Sequence, residues 1–68
     1  MKVKYTREMD ILSIRLSDDP FDYAEEDWGL ITHFSKKGKP VLLEIQGAGN
    51  FLPSSIASLI EESEVTLS

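Results

Sequence analysis

Asp18, Asp19 and Asp22, followed at some distance by His33, are the residues whose types first suggest chemistry. Clustered carboxylates offer the oxygen ligands that hard divalent cations take. Their spacing follows no calcium loop, however, and no glycine supplies the sharp turn such a loop needs. The plainer reading is a solvated acidic connection, and these four remain weak metal candidates. His33 is the lone histidine. Acid–base work needs it oriented by a carboxylate and set beside a nucleophile. Ser13, Ser17 and Ser35 are present, but without the glycine-flanked elbow that exposes a serine nucleophile. A half-buried sheet histidine is the expectation, and no catalytic residue is assigned. "GAGN" at 47–50 lacks the Gly-Lys-Ser/Thr ending of a phosphate loop, so no cofactor is expected.

A second constellation suits binding better. "FDYAEEDW" places Phe21, Tyr23 and the single tryptophan, Trp28, among Asp22, Glu25, Glu26 and Asp27. Aromatic residues anchor interfaces, and charges steer partners toward them. Those seven residues are the candidate contact set for a basic partner. The competing reading tucks Phe21 and Trp28 into the sheet and leaves the acids wet.

The chain that must position these residues has 68 of them, no cysteine and a formal net charge of -5. That length suits one domain, 1–68, near the lower limit for folding without a staple. With disulfides excluded, self-association is the simplest support, and a homodimer is expected. The net charge of -5 argues against a nucleic-acid groove, because phosphate binding needs clustered Lys and Arg, and six of the acids lie within residues 18–35. No apolar run has the length of a membrane span. The start "MKVKYTREMD" lacks a secretory apolar stretch, so a cytoplasmic setting is expected.

Period-2 alternation predicts strands over 2–6, 11–17, 29–35 and 40–46. The first two form one hairpin and the last two another, the second turning at "KKGK". Asp18-Asp19-Pro20 ends the second strand, because proline cannot donate to a ladder. Pro53 and the stripe Ile56, Leu59, Ile60 predict a short helix over 53–63. Residues 64–68 read either as a tail or as a short extra strand. The expected fold is thus α+β: a small antiparallel four-stranded sheet over 1–46, then a C-terminal helix.

"MKVKY", "MDILSIRLSDDP" and "GLITHFSKKGKPVLLEI" together resemble the domain of unknown function 2283 family of small prokaryotic proteins, over about residues 1–46. His33, Phe34 and the "KKGK" turn depart from that pattern. The resemblance implies no catalytic residues. It implies a role as the neutralising, antitoxin-like partner of a toxin-like protein. The expected function is a non-enzymatic protein-interaction domain. The alternatives are a self-associating structural or regulatory domain and, behind it, a divalent-metal module.

Overall fold

The computed structural model describes residues 1–50, 52–53 and 55–56, and the backbone of a last strand at 64–66. Its strands are β1 (Lys2–Thr6), β2 (Ile11–Arg15), β3 (Tyr23–Asp27), β4 (Leu30–Phe34), β5 (Pro40–Gln46) and β6 (Glu64–Thr66). They form one sheet in the order β3-β4-β5-β2-β1-β6. All neighbours are antiparallel.

Two expectations are corrected by this sheet. It has six strands, not four, because the acidic connection contributes β3 and residues 64–66 pair with β1. The α+β description also gives way to an antiparallel sheet; among the described residues the helical backbone amounts to a 3-10 turn at Ala48–Asn50 and the two residues Ser55 and Ile56. Of the segment expected as a helix, 53–63, only Pro53, Ser55 and Ile56 are described; the remainder lies outside the described residues. β3 escapes an alternation search because all five of its residues are exposed. A strand with no buried face leaves no period-2 signal.

Register assigns the faces. Val3 lies opposite Ile14, Tyr5 opposite Leu12, and Leu12 and Ile14 opposite Ile45 and Leu43. Residues directly opposite share a face, so the apolar alternations of β1, β2 and β5 fall on one side. There Tyr5, Leu12 and Ala48 form a buried cluster, with Val3, Ile14, Ile45 and Leu52 packed against it, and Val41 on β5 is fully buried outside that cluster. β2 is central, between β1 and β5.

Asp10 ties this core shut. It closes the β1–β2 turn with its amide on the Arg7 carbonyl, in the left-handed region at φ 55°, which aspartate tolerates better than most residues. Its Oδ1 accepts from the Tyr5 hydroxyl at 2.6 Å and from the Gly49 amide at 2.7 Å. Its carbonyl accepts from the amides of Gly47 and Ala48 at 2.9 and 3.3 Å. The "GAGN" break therefore folds onto the first hairpin and carries Ala48 into the core.

Two stability predictions follow from this geometry. A Cβ on Gly49 would lie 2.8 Å from Asp10 Oδ1 and 3.2 Å from the Tyr5 hydroxyl. Gly49→Ala must displace the carboxylate that both groups bind, and should cost about 1–3 kcal/mol in denaturant unfolding. Leu12→Ala should cost about 2–5 kcal/mol. Ser13→Ala, on the opposite face, should stay within about 0.5 kcal/mol of wild type.

Candidate functional site: the outer hairpin and its flanks

The fold divides the aromatic and acidic constellation into three places. Phe21 lies over the face opposite the core. Its ring stacks on His33 at 4.8 Å between centroids, and the Arg15 guanidinium lies 5.4 Å from its centre. Arg15 and His33 each sit directly opposite Leu42 on β5. The connection after β2 thus crosses the second face, and Phe21 bridges the two residues flanking Leu42. His33 Nε2 pairs with Glu44 Oε1 at 2.5 Å. That carboxylate belongs to β5, not to the aspartate run.

Asp19 and Asp22 lie elsewhere. With Pro20, Phe21 and Ser35 they line an open cleft of about 410 Å³ whose other wall is Lys36, Lys37 and Lys39. Acids of the connection thus face the lysines of the β4–β5 turn. The Asp22 amide donates to the Phe34 carbonyl at 2.8 Å, and the Asp19 amide to Ser17 Oγ at 3.1 Å. Asp18 is exposed. Among the described residues, no three His, Cys, Asp or Glu side chains converge on a position that could hold a metal ion.

Tyr23 opens β3 and stacks on Phe34, with centroids 5.0 Å apart and planes 15° apart. Beyond it, Glu25, Glu26 and Asp27 run outward along β3 to a two-residue turn, Trp28-Gly29, which leads into β4. Both turn residues have positive φ, 53° and 84°. That is the geometry of the tight hairpin turn whose twist matches its strands, and it favours Asn-Gly or Asp-Gly. A tryptophan in the first position is unfavourable for backbone conformation. Packing does not compensate, for Trp28 is 98% exposed. Neither local propensity nor burial explains this residue, and an unfavourable backbone held at an exposed tip directs attention to binding.

Sequence reasoning grouped Phe21 through Trp28 as one surface, whereas the structure leaves Glu25, Glu26, Asp27 and Trp28 on the outer hairpin. It also missed Asp10. The available signal was an aspartate at the end of a turn, immediately before the longest apolar alternation. Among the described residues, no helix is long and apolar enough to cross a membrane.

Residues 2–48 match the family model described as "Protein of unknown function (DUF2283)". No curated protein and no solved structure matches the chain.

If Trp28 serves binding and not the turn, Trp28→Asn should leave the fold intact. By supplying a residue suited to the left-handed region, it should also raise stability by up to about 1 kcal/mol. Thermal melts of the two proteins check this. A lower melting temperature for the asparagine variant would make Trp28 a structural residue.

Proposed function

The chain belongs to the DUF2283 family, and we propose that it acts as a non-enzymatic protein-interaction module that presents its β3–β4 hairpin to a basic partner. The observation carrying this reading is Trp28, 98% exposed at the tip of a tight hairpin. A large exposed indole on a rigid turn supplies interface area at small entropic cost. Glu25, Glu26 and Asp27 beside it contribute long-range attraction for a cationic surface. Neutralisation of a toxin-like protein, the role implied by the family resemblance, is the specific form of this reading, with a basic toxin-like protein as the partner.

A second reading has its own support. Tyr23 and Leu30 are 45% and 38% exposed. By register both share the face that carries the core. Self-association through that face would cover them, and sedimentation at micromolar concentration distinguishes a dimer from the 7.7 kDa chain.

The interaction reading is tested by affinity capture from the native host. Wild-type chain should retain a basic protein, and Trp28→Ala should lose it. The charge-neutral variant Glu25→Gln, Glu26→Gln, Asp27→Asn should bind more slowly and with less dependence on salt. Both variants should melt within a few degrees of wild type, because solvated acids and an exposed side chain contribute about 0–1 kcal/mol. Capture unaffected by Trp28→Ala would remove the hairpin from the interface.

A further inference from the structure

The outer edge of β3 has a definite pattern of unused main-chain groups. The Gln46 amide donates to the Gly29 carbonyl at 2.9 Å, so the main chain of Gly29 faces β5. Alternation along an antiparallel strand then turns Ile31 and His33 toward β5, and Leu30, Thr32 and Phe34 toward β3. The Asp22 amide on the Phe34 carbonyl agrees with that parity. The partners of Leu30, Thr32 and Phe34 are Asp27, Glu25 and Tyr23. Those three turn their main chain inward. The amides and carbonyls of Ala24 and Glu26 therefore point away from the sheet. Among the described residues, no strand pairs with that side of β3.

The side chains bordering this edge select what can add to it. Glu25 and Asp27 stand on one face and Glu26 on the other, while Ala24 presents no bulk. A second copy offering the same edge would bring carboxylates against carboxylates, and like charges across a strand pair are destabilising. A strand alternating lysine or arginine with apolar residues meets no such penalty. It places cations opposite the acids while its main chain completes the ladder. We propose that β3 is a docking edge that accepts an extended, basic segment of a partner protein as a seventh strand. The inference rests on the reading of the hairpin as the partner site, and adds the mode of binding and the chemistry of the bound segment.

The test uses the intact chain and three end-blocked hexapeptides: alternating Lys-Val, alternating Glu-Val, and alternating Lys-Pro. The Lys-Pro peptide keeps the charge but lacks half the amides and cannot form a ladder. Amide hydrogen exchange is followed by NMR. The Lys-Val peptide should slow exchange at Ala24 and Glu26 by about tenfold or more, and the other two should not. Ala24→Pro removes one outward donor without touching the inner ladder, a placement that edge strands accept. It should weaken Lys-Val binding by about tenfold.

Equal effects from Lys-Val and Lys-Pro would reduce the interaction to charge alone and overturn strand addition. So would no protection at saturating peptide. Protection that grows with protein concentration in the absence of peptide would overturn it in favour of self-pairing. The two proposals fail separately. Partner capture lost in Trp28→Ala without peptide-dependent protection overturns only the strand mode, whereas protection alongside capture indifferent to Trp28 overturns only the role given to the tryptophan.

Discussion

The core of this small sheet is closed by one carboxylate and its own main chain. Asp10 binds the Tyr5 hydroxyl and the Gly49 amide with a single oxygen, and holds the amides of Gly47 and Ala48 with its carbonyl. Without that knot, the chain leaving β5 has no reason to turn back over Tyr5 and Leu12, and Ala48 has no route into the core. A 68-residue chain without cysteine has few other means of closing its core, because small domains bury too little apolar surface to be indifferent to where each piece lies. The left-handed turn at Asp10 concentrates four polar contacts where an apolar contact alone would leave the register of the turn loose.

The position of that knot makes the sheet unequal from side to side. Tyr5, Leu12 and Ala48 lie toward β1, β2 and β5, whereas β3 is exposed along its whole length. The β3–β4 hairpin is anchored instead by its ladder to β5, by Tyr23 on Phe34, and by a tight turn. Those are directional, local interactions. They hold a shape without demanding apolar side chains at the tip. The sequence of the hairpin is consequently free of the core's constraints: its acids are placed at little cost to folding, and Trp28 is held in the left-handed region without packing to offset it.

Alternation made β1, β2, β4 and β5 legible, because each has one face against apolar neighbours. Val3 and Tyr5, Leu12 and Ile14, and Leu43 and Ile45 fall together on one face by alternation alone. β3 was not legible for the complementary reason. Tyr-Ala-Glu-Glu-Asp has poor strand propensity and no face to bury, and it becomes a strand only through β4 and the turn at Trp28-Gly29. That the segment from Phe21 to Trp28 is divided among three places was not legible on similar grounds. Sequence proximity cannot show that Asp22 bonds back to Phe34 while Phe21 crosses to the other face. Nor can it show that His33 meets Glu44, a pairing set by the diagonal between neighbouring strands.

The acids of β3 have a double consequence. Edge strands endanger small sheet proteins, since exposed amides and carbonyls invite any extended chain, and charge along the edge is a common protection. Protection by charge is selective by nature. Glu25, Glu26 and Asp27 repel a second copy of themselves and other acidic strands, and attract a cationic one. Protection by proline or by a covering loop would close the edge to all comers. Here Ala24 and Glu26 keep their main-chain groups outward, so the edge is guarded by sign and not by obstruction. The same carboxylates that disfavour a second acidic edge beside β3 favour a basic segment there, which is the chemistry the proposed docking mode calls for.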